Sequence, residues 1–264
     1  MSERQRLQPV NTSGWAIGFG NLLRKELSAW WRFPSWLIQA VIWLAIINGM
    51  VGLILWMAPA EATASTDAVE VFFGISGIAA SIGIIIVMQG AIMDERLSGT
   101  LEWLLSKPVA RPAVILTKLL ANAIGALLIM VVLQGAVAYL QFTLAGKSLS
   151  VAAFITGLGL LYLYLLFFLA LTLLMGVVFK HRGAVFGIPI GLVFGYQIIL
   201  GILPGLAPYT PWALIMPVSM ELNGMAAMVA LGAPLPTISP VIATLALIAI
   251  MIGLAIWRFE QMEF

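Results

Sequence analysis

The sequence predicts an all-α integral membrane protein with six transmembrane helices. Three observations carry this: the composition, six long apolar runs, and the one-sided placement of basic residues. Of 264 residues, 62% are hydrophobic and only 9% are charged. A soluble domain is about 45–50% apolar and about 25% charged. Thirteen Lys+Arg and 11 Asp+Glu are too few to coat a water-soluble globule of this size. The length fits a single membrane domain over residues 1–264, without room for a second soluble domain. The net charge of +2 gives no reason to expect a nucleic-acid partner. Cysteine is absent, which excludes disulfides, thiol nucleophiles and thiolate metal sites. Residues 1–14, MSERQRLQPVNTSG, lack an apolar core, so no cleavable signal peptide is expected.

The apolar runs are Trp36 to Ala58, Val71 to Met93, Leu119 to Ala145, Val151 to Phe179, Ala184 to Ala207, and Ile238 to Trp257. A helix needs about 20 residues to cross the hydrocarbon, and every run is long enough. None has Asp, Glu, Lys or Arg in its interior, where one charge costs roughly 2.5–3.5 kcal/mol. The runs do not alternate polar and apolar, which excludes a lipid-facing barrel. The third and fourth runs exceed one crossing and are expected to tilt or project. Gly187, Gly191 and Gly195 form a G-x-x-x-G-x-x-x-G ladder on one face of the fifth helix. Such a face serves close packing within the bundle, or a dimer seam or pathway wall.

Orientation follows from the basic residues. Arg4, Arg6, Arg24, Lys25 and Arg32 precede the first span. Arg96, Lys107, Arg111 and Lys118 lie between the second and third, Lys180 and Arg182 between the fourth and fifth, and Arg258 follows the sixth. Only Lys147 falls on the other side, with Glu61, Asp67, Glu70 and Glu221. The positive-inside rule places both termini in the cytoplasm.

Three segments are not spans. Residues 15–34 place Trp15, Phe19, Leu22, Leu23, Trp30 and Trp31 at helical spacing among Arg24, Lys25, Glu26 and Arg32, with Pro34 as breaker. This predicts an amphipathic interfacial helix, either a plain anchor or an elbow that moves with the bundle. Residues 94–107 predict a short cytoplasmic helix with Leu97, Leu101, Leu104 and Leu105 on its apolar face and Pro108 ending it. It either docks a soluble partner or packs under the bundle. Residues 208–232 are apolar but broken by prolines, and predict re-entrant or interfacial helices too short to span. Glu221 there marks a substrate exit or simply faces water. Met216, Met220, Met225 and Met228 form a cluster whose thioethers suit Cu(I) or adaptable packing. The lack of His and Cys in that segment favours packing.

Catalytic constellations are missing. His181 is the sole histidine, and no phosphate loop, nucleophile elbow or H-E-x-x-H pair occurs. No metal site and no cofactor bound by this chain are expected. The spans offer only neutral polar groups, Gln39, Asn48, Gln89, Asn122, Gln134, Gln141 and Gln197, so a proton relay is absent. If the chain transports, a partner supplies the energy. A carrier using neutral ligands for Na⁺ stays open.

The stretch RLSGTLEWLLSKPVARPAVILTKLLANAI resembles the cytoplasmic signature of type-2 ABC transporter permeases. It carries an acid and Gly-Thr, Leu-rich turns, Pro-Val-x-Arg and a Lys opening the next helix: Glu95, Gly99, Thr100, Leu101, Leu104, Leu105, Pro108, Val109, Arg111 and Lys118. LLRKEL (22–27) resembles the family's elbow, and RFEQMEF its short cytoplasmic end. The resemblance covers essentially the whole chain. It implies a permease subunit, commonly of an exporter, in the plasma membrane. Two permease copies form the pathway, a homodimer in the simplest case, and each docks a cytoplasmic ATPase that binds ATP and Mg²⁺. The implied coupling helix spans 94–107, with Glu95, Arg96, Ser98, Gly99, Thr100, Leu101, Leu104, Leu105, Pro108 and Arg111 as docking residues and Arg24, Lys25 and Glu26 on the elbow. The competing readings are a non-transporting scaffold or regulator that docks a cytoplasmic partner, and an intramembrane enzyme, which lacks its acids and histidines.

Overall fold

The computed structural model describes residues 14–57, 64–217 and 224–262. Within these the chain is helical: α1 Phe19–Trp30, α2 Ser35–Met57, α3 Ala64–Leu97, α4 Thr100–Leu105, α5 Arg111–Leu144, α6 Val151–Val178, α7 Arg182–Ile202, α8 Met225–Ala230 and α9 Ser239–Glu260. The helices α2, α3, α5, α6, α7 and α9 are long and apolar enough to cross a membrane, and the fold is the all-helical six-span one expected.

The helices outrun or undercut the apolar runs for local reasons. Helix α3 has 34 residues, about 51 Å at 1.5 Å per residue, against a hydrocarbon core of about 30 Å. Its extra turns carry Asp67 at the start, where the helix dipole favours an acid, and Arg96 at the end, where it favours a base. Hydropathy alone cannot see such charged ends. Helix α7 stops at Ile202, because Pro204 opens a 3₁₀ turn (Pro204–Tyr209). The segment expected as one helix over 94–107 is split. Helix α3 runs through Leu97, the chain turns at Ser98 and Gly99, and α4 begins at Thr100. Gly99 makes the turn with φ 70°, a left-handed conformation that glycine adopts without a Cβ penalty. Likewise the helix within 15–34 is confined to Phe19–Trp30.

Helix α6 lies at the centre. Of its most apolar stretch 72% is buried by the rest of the chain, against 22% for α7 and α9. It packs on α3, α5, α7, α8 and α9. Lipid tails are as apolar as leucine, so helices in a bilayer associate through close packing rather than through water exclusion. Small residues create that closeness. A Cβ on Gly83 would sit 2.3 Å from the Trp43 ring of α2, and one on Gly135 2.6 Å from Leu158 of α6. Phe72, Phe73, Phe142 and Phe154 form a buried aromatic cluster joining α3, α5 and α6.

Three mid-span amides, Asn48, Gln134 and Gln141, donate to internal partners. Helices α2 and α5 each contain a π-helical stretch, Leu44–Asn48 and Leu127–Val132. A π stretch frees backbone carbonyls from the regular ladder. Gln134 Nε2 donates to the Ile129 carbonyl at 3.1 Å, and Gln141 Nε2 to the Asn48 carbonyl at 3.1 Å. Asn48 Nδ2 in turn donates to Gln134 Oε1 at 2.8 Å. These glutamines hold two irregular helices together.

Between α7 and α9 the described pieces are a second 3₁₀ turn, Pro211–Leu214, and the six-residue α8. Of the segment expected to form re-entrant helices over 208–232, residues 218–223 lie outside the described ones. Both pieces are buried. A Cβ on Gly157 of α6 would lie 2.7 Å from the Ala226 carbonyl, and one on Gly77 of α3 2.3 Å from Ile215. Met216 and Met225 are buried in this packing. Met220 and Glu221 lie outside the described residues.

Candidate functional site

The end of the bundle that carries α1, α4 and the first turns of α5 gathers most of the sequence-derived candidates. The amphipathic α1 lies along α5. Its Trp30 ring occupies the space beside Gly125, where a Cβ would come within 2.2 Å of it. Trp30 Nε1 donates to Asn122 Oδ1 at 3.0 Å, and Asn122 Nδ2 donates to the Lys118 carbonyl at 2.7 Å. The chain on either side is stitched as well: Ala110 N–H donates to the Ile17 carbonyl at 3.1 Å.

A four-charge cluster joins three elements here. Lys118 Nζ of α5 lies 3.0 Å from Glu26 Oε1 of α1 and 3.0 Å from Glu95 Oε2 of α3. Lys25 Nζ donates to Glu95 Oε1 at 2.8 Å. Two carboxylates and two ammonium groups balance, which is the condition for keeping the Lys118 side chain only 3% exposed. Partial burial works against the charged form of Lys25, but Glu95 and Glu26 outweigh it and raise its pKa above the ordinary lysine value. That contribution is complete below the ordinary value and is lost only as pH rises through the raised one, so it is constant through neutral pH.

Arginines anchor the same end. Arg96 Nη1 donates to the Phe179 carbonyl at 2.9 Å and Nη2 to the Val177 carbonyl at 3.3 Å, at the C-terminus of α6. Arg111 Nη1 donates to the Met262 carbonyl at 2.8 Å and to the Glu260 carbonyl, at the end of α9. Helix C-termini leave carbonyls unpaired and carry partial negative charge, so a guanidinium suits both needs. Arg182 pairs with Asp94, tying the α6–α7 turn to α3.

Helix α4 sits on this framework. Ser98 Oγ donates to the Asp94 carbonyl at 2.7 Å, and Thr100 Oγ1 to the Glu95 carbonyl at 3.3 Å, closing the α3–α4 joint. Leu101 is fully buried, and Leu104 and Leu105 pack against the core. Leu101 therefore seats α4 on the bundle, with Leu104 and Leu105 half-buried beside it. The face of α4 turned to solvent carries Trp103, 64% exposed, with Lys107 Nζ 4.3 Å from the centre of its ring, and Leu97 at the end of α3 is 63% exposed. Sequence reasoning that tracks the leucines misses Trp103. At 100° per residue it lies about 200° from Leu101, which places it opposite the buried stripe.

Among the expected site residues, Glu95, Lys25 and Glu26 meet in one cluster, while Ser98, Gly99 and Thr100 form the joint. Arg96 and Arg111 staple helix ends, Pro108 is exposed beyond α4, and Arg24 is exposed on α1 away from the cluster. Gly187, Gly191 and Gly195 lie elsewhere, along α7. A Cβ on any of them would meet nothing within 4 Å, so among the described residues the ladder packs against no other element.

No curated protein matches the chain. The family model described as ABC-2 family transporter protein matches residues 30–264, which takes in all six spans, α4 and the charge cluster apart from Lys25 and Glu26. The chain is a multi-pass membrane protein that belongs to the ABC-2 transporter permease family.

Proposed function

We propose that this chain is the permease subunit of an ATP-driven exporter, that it works as a homodimer with two copies of a cytoplasmic ATPase, and that α4 is the coupling helix. The observation that carries the reading is the two-faced character of α4. Leu101 is fully buried in the bundle, while Trp103 stands exposed on the opposite side of α4. A large exposed aromatic is a common anchor of a protein contact. The positive-inside bias supports a cytoplasmic position for this end and for both termini, in a plasma membrane.

The mechanism follows from the connections. ATP and Mg²⁺ belong to the partner, since this chain has no phosphate loop. Movement of the partner would press on α4. The Gly99 joint passes it to α3, the Lys25–Glu26–Glu95–Lys118 cluster to α1 and α5, and Arg96 and Arg111 to the ends of α6 and α9. Packed elements of this kind shift as rigid bodies between discrete arrangements. The uncovered glycine face of α7, flanked by exposed Ile188, Phe194 and Ile198, supports a seam with a second copy. Export is the direction that the family resemblance implies.

Co-purification with the ATPase encoded beside this chain tests the proposal. A two-plus-two complex with ATPase activity that weakens on Trp103→Ala supports it. A folded permease that captures no ATPase refutes it and favours the scaffold reading.

A further inference from the structure

A cavity of about 440 Å³ opens between α1, the start of α2, α3 and α5. Its wall combines the charged Lys25, Glu26, Arg32, Asp94, Glu95 and Lys118 with the apolar Val87, Ala91 and Trp30. Small-molecule sites have volumes of roughly 300–1,000 Å³ and combine apolar walls with a few placed polar groups. The charges leave a remainder. Glu26 and Glu95 are matched by Lys25 and Lys118, and Asp94 is engaged by Arg182. Among the described residues, Arg32 pairs with no carboxylate. Arg32 is thus the one lining charge without an opposite partner among the described residues. Trp31 and Trp36, both exposed, lie on either side of Arg32 in the chain, as suits a bilayer interface.

We infer that this cavity is a binding site for the phosphodiester headgroup of a membrane phospholipid. The phosphate sits on Arg32, whose planar fork matches phosphate oxygens two at a time. The lipid's glycerol and first methylenes lie toward Val87 and Ala91. Three features select a lipid over a free phosphate: the apolar part of the wall, the flanking tryptophans, and the placement of the cavity where an amphipathic helix meets the start of a span. The site requires only a bilayer and stands whether or not α4 docks an ATPase. A lipid held there would contact α1, α3 and α5 together.

Native mass spectrometry of the detergent-solubilised full chain, titrated with dioleoyl phosphatidylglycerol, tests this. The comparison is Arg32→Gln against Arg24→Gln, which removes an equal charge from α1 outside the cavity. Arg32→Gln is expected to weaken lipid retention about tenfold, the usual loss for one charged hydrogen-bonding group, while Arg24→Gln leaves it unchanged. Equal weakening by both variants means general surface attraction and overturns the site. Unchanged retention in Arg32→Gln overturns it too. Dioleoyl glycerol, which lacks the phosphate, is expected to bind poorly; equal binding reduces the site to an apolar groove. Displacement of the phospholipid by millimolar inorganic phosphate would assign the cavity to a free anion instead. Arg32 is exposed, so its variant is expected to keep the wild-type elution profile, which is checked on the same samples.

Discussion

Lys118 of α5 and Glu95 of α3 meet at 3.0 Å, with the lysine side chain only 3% exposed. An ammonium this deeply buried is tolerable only while its carboxylates are in place, and Glu26 of α1 supplies the second of them. The pair therefore makes the position of α1 a condition for the stability of α3 and α5. Removing one partner of a buried ion pair costs about 3–5 kcal/mol, because the remaining charge stays desolvated. Glu26 and Glu95 retain some solvent contact and Lys25, so the low end applies. Lys118→Met is expected to destabilise the protein by about 3 kcal/mol, read as a drop in melting temperature in detergent. Lys118→Met combined with Glu26→Gln is expected to recover part of that loss. A melting temperature unchanged by Lys118→Met would show that the cluster is not structural.

Helix α4 carries a fully buried leucine and an exposed tryptophan within six residues. Trp103 is exposed, so Trp103→Ala is expected to change stability by no more than about 0.5 kcal/mol. If α4 docks the ATPase, the same change removes an aromatic anchor worth at least about 2 kcal/mol, roughly a 30-fold loss of affinity. Leu101→Asp is the opposite case. It forces a carboxylate into a fully buried seat and is expected to lower melting temperature before any partner is added. Binding measurements on detergent-purified protein, paired with melting curves, separate the two.

The contrast marks how far local sequence reaches. The spans are legible because a membrane imposes a 20-residue apolar rule on local sequence, and the leucine spacing discloses an amphipathic helix near 94–107. Which face of that helix meets the bundle depends on contacts with distant segments, so the pattern alone offers the leucines to a partner and passes over Trp103. Arg96 and Arg111 read as loop cations, because nothing local shows that their guanidinium groups reach carbonyls more than 80 and about 150 positions away. Gly125 reads as a tolerated small residue, and only the fold reveals the Trp30 ring beside it.

The α3–α4 joint rests on one left-handed residue. Gly99 has φ 70° and open space around its missing Cβ. Gly99→Ala therefore adds no clash and costs only backbone strain, about 1–2 kcal/mol. Gly146 has φ 80° and equally open surroundings at the other end of α5. Gly146→Ala is expected to destabilise the fold by a similar amount. Only Gly99→Ala is expected also to reduce partner-coupled ATP hydrolysis. Equal loss of hydrolysis in both variants would trace the effect to stability alone and remove the joint from the coupling path.

The glycine ladder of α7 offers the sharpest test of the proposed dimer. A Cβ added at Gly187, Gly191 or Gly195 would find no neighbour within 4 Å, so the isolated chain gains nothing from their smallness. Glycine in a helix is nonetheless less favourable than alanine by about 0.5–1 kcal/mol. Gly191→Ala alone is thus expected to stabilise the monomer slightly. A bulky group is different if a second copy packs here, because close backbone approach is then lost. Gly191→Leu is expected to leave the monomer's stability within about 0.5 kcal/mol of wild type, and to shift the mass in detergent, measured by light scattering, from two copies to one. Intact dimers in Gly191→Leu and Gly187→Leu would move the seam to another exposed span, such as α2 or α9, and leave the ladder facing lipid.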